Sequence, residues 1–332
     1  MRSANRVRRR WGASLVGAGL LLLVGCKKDP PAAANEKASA QTAAAKQLDA
    51  AKRSIPDVAT VVGGVDLAGL QSTGLWRKHS DEVLREGKTT LDALQRCKLG
   101  LEHWRSVTFG LDPEGELRFA AAIVAEGLGK ASTLECAVRE VAQSSGDKPW
   151  VIREGGKVVE LDRGTLAYVI DDDTVLVVGM PWIPDVERLR DGKGRSAFDG
   201  ELGRALQRTD TSKHVWFAGV VPAAAGKQLA AADPDSPKPK DIAAWLDLSD
   251  GVQFYAAVNV GSEDGAKKTQ QTMEQQFSVL KGMATSFGVP AKVMESVKFD
   301  TSGPAVTATA KASEQDLETI VTRLQGARGG GS

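Results

Sequence analysis

Apolar residues along this chain follow two periods, and the switches between them mark out its elements. Residues 58–65 (VATVVGGV) form a short, nearly unbroken apolar run, as in a strand buried on both faces. From 67 to 98 the spacing becomes helical, in two pieces that break near Ser80 or Gly87. Leu84, Leu91 and Leu94 line the inner side of the second piece, and Gly100 is the expected C-terminal cap. Alternation returns in Ser106–Leu111 and Leu117–Ala125, joined by the turn Asp112-Pro113-Glu114-Gly115, which predicts a hairpin. A helix is expected from Ser132, opened by the capping pair Ser132 and Glu135. Strands are then expected at 149–153, 157–162, 165–171 and 174–180, and helices at 184–191 and 196–208.

The second half repeats the order. His214–Val221 reads as a buried strand and Ala231–Lys240 as a Pro/Asp/Lys-rich loop. Ile242–Asp247 and Val252–Val260 read as a hairpin. Residues 264–287 make the clearest helix, with Met273, Phe277, Leu280, Ala284 and Phe287 spaced 4, 3, 4, 3 along one side. Strands at 293–299 and 304–311 and a helix from Ser313 to Leu324 follow. The two hairpins align: Leu111-Asp112 and Phe119-x-Ala121-Ala122-Ile123 match Leu246-Asp247 and Phe254-x-Ala256-Ala257-Val258 at equal spacing. The expected fold is therefore α+β. It has two weakly repeated β-α-β-β-α-β-β units forming mostly antiparallel sheets, with helices packed on one face.

The start of the chain has neither period. Arg2, Arg6, Arg8, Arg9 and Arg10 come without an acid, and Trp11–Gly25 carries no charge. A basic start, a short apolar run and small residues at its end make an export signal. The run is shorter than the roughly 20 residues that span a bilayer as a helix. Its end, Leu23-Val24-Gly25-Cys26, resembles the lipobox of bacterial lipoprotein precursors. That resemblance implies cleavage before Cys26, a diacylglyceryl thioether on its sulfur and a further palmitate-type chain on its new amino group. One acyl chain holds a protein only marginally, whereas two or three anchor it without a transmembrane helix. Lys27 rather than Asp after the Cys implies, by the same resemblance, outer-membrane delivery facing the periplasm or surface. Beyond the signal, the likeness is to uncharacterised exported lipoproteins, at the level of architecture alone.

The expected organisation is a signal peptide at 1–25, a lipidated Cys and flexible tether at 26–54, a first α+β unit at 55–210, a second at 211–325 and a disordered tail at 326–332. The tether is rich in Ala, Lys and Gln and nearly free of large apolar residues. Removing residues 1–25 leaves 38 basic against 42 acidic residues, so the net charge falls from +1 to −4. Intermixed charges summing to a slightly negative value argue against nucleic acid as a partner.

With Cys26 assigned to lipid, Cys97 and Cys136 remain. In the helix after the first hairpin, Leu134, Ala137, Val138 and Val141 share a face, and Cys136 falls on the polar side with Arg139 and Gln143. An exposed lone thiol is unusual, since free cysteines behave as small buried hydrophobes. A Cys97–Cys136 disulfide in an oxidising compartment explains it. Two free cysteines are the alternative; metal ligation is disfavoured, since no His stands at a ligand spacing.

No catalytic constellation is present. Gly127-Leu128-Gly129-Lys130 lacks the first Gly and the Ser/Thr of a phosphate loop. Asp171-Asp172-Asp173 lacks the Gly and distal Glu of a calcium loop. His79, His103 and His214 stand far apart, outside any H-E-x-x-H, and no G-x-S-x-G occurs. Trp76, Trp104, Trp150, Trp182, Trp216 and Trp245 suit core packing better than a ligand groove. These absences point to a non-catalytic envelope lipoprotein with a binding or structural role and no cofactor. Its partners would be the membrane, through Cys26, and an unknown envelope protein, glycan or lipid. The alternatives are a carrier of a hydrophobic ligand, which needs a sheet face left open beneath the helices, and an exported hydrolase without a recognisable motif.

Overall fold

The structure, a computed structural model, describes residues 48–49, 51–113, 118–145, 150–161, 164–232, 236–286 and 289–329. The lipobox at Leu23–Cys26 lies outside the described residues, as do the tip of the first hairpin and Phe287. The chain is mixed α+β, and its strands form one twelve-stranded antiparallel sheet. The strands are β1 (Val61–Asp66), β2 (Trp104–Asp112), β3 (Arg118–Ala125), β4 (Val151–Arg153), β5 (Val158–Glu160) and β6 (Leu166–Val169), followed by β7 (Thr174–Val178), β8 (Val215–Val220), β9 (Asp241–Asp247), β10 (Val252–Asn259), β11 (Lys298–Ser302) and β12 (Ala305–Ala312). Their order across the sheet is β11-β12-β10-β9-β8-β1-β2-β3-β7-β6-β5-β4.

β1 and β8 pair antiparallel at the middle, Val61 opposite Gly219 and Val65 opposite Val215. Read outward from that pair, one side runs 1-2-3-7-6 and the other 8-9-10-12-11. The hairpin residues matched in sequence hold equivalent register positions: Leu111 faces Phe119, and Leu246 faces Phe254. Their inner neighbours correspond too, with Val61 opposite Leu111 and Val215 opposite Leu246.

Among the described residues, the helices from β1 onward are α1 (Leu67–Ser72), α2 (Gly74–Val83), α3 (Lys88–Arg96), α4 (Ala131–Ser145), α5 (Ile183–Arg190), α6 (Glu201–Leu206), α7 (Ala223–Ala232), α8 (Glu263–Ser286), α9 (Ala291–Ser296) and α10 (Glu314–Gly329). They do not keep to one face of the sheet, and β7 shows why. Its Leu176 and Val178 pack with Val186 of α5 and Leu202 and Ala205 of α6, while its Val175 packs with Leu134, Ala137 and Val138 of α4. Successive strand residues point to opposite faces, so α5 and α6 cover one side and α4 the other. One core cluster also joins the halves, since Val62, Ala120 and Leu176 belong with Trp216, Ala218 and Ala243.

Several boundaries differ from expectation for local reasons. The first helical stretch is three helices, because Thr73 is extended and caps Trp76 through its hydroxyl, and a 3-10 turn fills Arg85–Gly87. α3 ends not at Gly100 but in a Schellman turn at Lys98, whose φ is +60°. There Lys98 N–H donates to Gln95 O and Leu99 N–H to Leu94 O, and Leu99 is buried. α4 starts at Ala131, so Ser132 lies inside it and does not cap it. The segment 196–208 is a 3-10 turn with its own Ser196/Asp199 capping box, then α6. α7 has no counterpart in the sequence reading, and it takes Ala231 and Ala232 from the expected loop. The expected strand 293–299 is mostly α9, and β11 follows at Lys298. α10 continues to Gly329, so the tail expected to be disordered over 326–332 is helical as far as 329.

Candidate functional site

One apolar surface of the sheet is left without a cover. Register partners share a face, so the rows through Phe217 can be followed strand by strand. Phe217 lies opposite Gly63, which lies opposite Phe109, which lies opposite Ala121. In the other direction Phe217 faces Ala244, which faces Ala256. The next row holds Val61, Leu111, Phe119, Gly219 and Ile242, and the row on the other side holds Val65, Val215, Leu246 and Phe254. Phe217 is 36% exposed and Phe254 38%; Val61, Phe109, Leu111, Phe119 and Ile242 are half-buried. None of these rows carries an ionisable group.

Helices wall this floor on three sides. Met273 of α8 packs against Val258 and Val306 toward the β12 side. Leu70 and Leu75 of α1 and α2 and Leu317 of α10 pack with Val65, Leu246, Leu248 and Val252 at one end. α4 covers Ile123, Val175 and Val177 toward β7. Among the described residues, no core cluster includes Val61, Leu111, Phe119 or Ile242 at the remaining end. Gly63 sets the depth of the floor at its centre, since a Cβ there would stand 2.6 Å from Phe109 Cζ. The far end of the Phe109 ring occupies the space that a side chain at Gly63 would fill.

A second apolar surface adjoins it. α8 carries the predicted stripe, but the sheet uses only its first part. Phe277 meets Phe299 edge-on with centroids 5.6 Å apart, whereas Leu280 is 52% exposed, with Val279 and Met283 also exposed beside it. After Ala266 none of the described side chains of α8 is buried. Between α8, α9 and β11 lies a shallow cleft floored by Phe277, Met294, Val297 and Phe299.

The groups singled out in the sequence lie elsewhere. Cys97, at the end of α3, and Cys136, in α4, are joined as a disulfide with Cα atoms 5.6 Å apart. The glycine loop and the acidic triplet come together: Gly127 N–H donates to Asp173 Oδ1 at 2.6 Å and Gly129 N–H to Asp172 O at 2.8 Å. They lock a loop to a turn rather than serving as a phosphate or metal site. Among the described residues no group of three or more His, Cys, Asp or Glu is placed to hold a metal. The six tryptophans named above belong to or pack against core clusters, and the floor's aromatic residues are phenylalanines.

His79 lies in α2, His103 in the turn before β2 and His214 before β8, so no two share an element. His214 comes nearest to a catalytic grouping, with Asp247 3.2 Å from its Nδ1. That nitrogen accepts from Leu248 N–H, and Ser249 Oγ donates to Asp247 Oδ1 at 2.7 Å rather than to the imidazole. The hydroxyl therefore has no base, and the set acts as a lock on the turn after β9. Burial raises the Asp247 pKa, but hydrogen bonds from Lys213 and Ser249 outweigh it and hold the carboxyl well below the usual range. Tyr255, stacked on Trp245 at 5.6 Å on the opposite face from the floor, has its pKa raised by burial.

No family model and no curated protein sequence matches the chain. Among solved structures, two crystal forms of TP0453 are similar to it. Form III has TM-score 0.46 and 10% identity, covering 82% of this chain and 97% of that one. Form I has TM-score 0.47 and 9% identity over the same shares. At those values the likeness assigns neither a family nor an activity. Among the described residues no helix is long and apolar enough to cross a membrane.

Proposed function

We propose that this chain is a lipid-anchored, extracytoplasmic lipoprotein with a non-catalytic binding role in the cell envelope, and that the open Phe217 face is its binding surface. The observation that carries the binding role is the floor itself. Phenylalanines more than a third exposed on an uncharged sheet face are costly to leave in water, and exposed apolar patches of this kind mark sites of contact. The anchor rests on Leu23-Val24-Gly25-Cys26, and Lys27 supports delivery to the outer membrane. A carrier of a hydrophobic ligand would use the same face, but a shallow floor buries too little of a free ligand to favour that reading. For the hydrolase alternative, the nearest grouping is His214, Asp247 and Ser249, in which the serine is not activated.

Two measurements test this reading. Cys26→Ser should move the protein from the membrane to the soluble fraction; a mutant that stays with membranes and still takes up palmitate analogues removes the anchor. The purified folded domain should bind an environment-sensitive apolar dye, and Phe217→Asp should weaken that binding several-fold without unfolding the protein. Turnover in esterase, peptidase, glycosidase or phosphatase assays that disappears on His214→Ala would replace the binding role with an enzyme.

A further inference from the structure

The floor spans β10, β9, β8, β1, β2 and β3, about 24 Å across at the usual strand spacing. Packed clusters bound it at α8, at α1, α2 and α10, and at α4, and among the described residues none includes Val61, Leu111, Phe119 or Ile242 at the remaining end. A trough closed on three sides suits a chain-like occupant better than the flat surface of a second copy. Its floor rows carry no ionisable group with which to hold a polar head. It is also shallow, whereas sites for free small ligands bury about 70–90% of the ligand. A free ligand would gain little here, but a tethered one is favoured by an effective concentration in the mM range.

The chain carries such a ligand on the lipoprotein reading. The N-terminal segment enters the sheet at the open end of the trough: Thr60 N–H donates to Leu111 O, Thr60 O accepts from Val220 N–H, and β1 begins at Val61. Ile55 is anchored on the opposite face, beside Gly110. Cys26 lies 22 residues before Leu48. A chain of that length reaches at most about 75 Å, more than the distance needed to turn round that end of the sheet to the floor. Its composition, with no large apolar side chain from Lys27 to Gln47, leaves the lipid as the one apolar mass on the tether.

We propose that the acyl chains on Cys26 lie along the Phe217 trough of the same molecule whenever they are not in a bilayer, so that the face shields the anchor in water. This rests on the lipid-anchor reading above. The test is a photoreactive phenylalanine analogue at position 217, with position 254 as a second probe, in the full-length lipidated protein freed of detergent. After illumination, digestion and mass spectrometry should find the protein's own acylated N-terminal peptide cross-linked to the probe. The yield should not change on dilution, and it should be several-fold higher than from a probe at Tyr255 on the other face. Cross-links to free phospholipid, cross-links to a second copy that fade on dilution, or none from either floor position would overturn the proposal. The same digest reads the premise: acyl mass on Cys26 without the cross-link sinks this proposal alone, and an N-terminal peptide without acyl mass sinks the anchor as well.

Discussion

Trp216 and Phe217 are neighbours in β8, and Gly64 and Gly63 are the residues they face in β1. Trp216 is 2% exposed, its indole stacked into the space above Gly64 and enclosed by the cluster that includes Leu202 and Ala205 of α6. Phe217, one residue on, is 36% exposed and belongs to none of the core clusters among the described residues. The same two strands thus serve two purposes. The Trp216 side joins the halves of the molecule through a shared core. The Phe217 side carries equally apolar residues that contribute little to that core, which is why we assign it to contact with something else.

The largest expected effect contrasts these two side chains. Trp216→Ala should cost about 3–5 kcal/mol, the range for emptying a buried aromatic site, whereas Phe217→Ala should cost about 1–2 kcal/mol, since only about two-thirds of that residue is shielded from water. Denaturant unfolding of both variants checks this; similar losses would mean that Phe217 is a core residue. Next is the disulfide. Cys97→Ala with Cys136→Ala opens a cross-link between residues 39 apart, and should lower stability by about 2–4 kcal/mol. Because the bridge ties α3 to α4, which covers one end of the Phe217 face, hydrogen exchange should rise there and not under α5 and α6. Equal exchange on both sides would show that the faces are not separately secured.

The glycines give a smaller and sharper contrast. A Cβ on Gly64 would stand 2.5 Å from the Trp216 indole, which is buried and has no room to move. Overpacking of that kind costs about 1–3 kcal/mol. A Cβ on Gly63 meets the far end of Phe109 at 2.6 Å, on the open side, and the Trp216 carbonyl at 3.1 Å. The phenyl ring can swing outward, so Gly63→Ala should cost less than Gly64→Ala in paired thermal melts. The reverse order would place the rigid contact on the face we describe as open.

Much of the sheet was legible in the sequence, while the uncovered face was not. Alternation and short apolar runs located the central strands, and the hairpin match picked out Leu111, Phe119, Leu246 and Phe254, all of which lie on the Phe217 face. Nothing in the match marks them as uncovered. Strands apolar on both sides, such as residues 214–221, give the same pattern whether one or both sides receive a helix. The outcome depends on where α4, α6 and α8 land, a matter of long-range packing. α7 (AAAGKQLAAA) escaped notice because it forms on alanine propensity, not on an apolar stripe. The stripe of α8 was legible, but Leu280 at its far end has no sheet beneath it. The disulfide was readable from one helical wheel, because Cys136 broke a pattern that its neighbours kept.

The most local effect, and the one that depends on pH, lies at the edge of the Trp216 side, where β9 ends at Asp247. Lys213 Nζ donates to Asp247 Oδ2 at 2.8 Å, and Ser249 donates to Oδ1 through both its N–H and its hydroxyl. These bonds favour the charged carboxylate, so its pKa in the folded protein lies below that in the unfolded chain. A group depressed in this way binds a proton less readily when folded. Its stabilisation is complete above the unfolded value of about 3.9 and fades as pH falls through the lower folded value. Asp247→Asn should therefore cost about 2 kcal/mol at neutral pH, the scale of hydrogen bonds to a charged group. It should cost progressively less as pH drops below about 4, where the wild type loses the same contribution. Urea unfolding of both proteins across that range should give curves that converge in acid. Curves that stay parallel would show that Asp247 works through the shape of its turn and not through its charge, and that the lock holding His214 against Leu248 does not depend on the carboxylate being ionised.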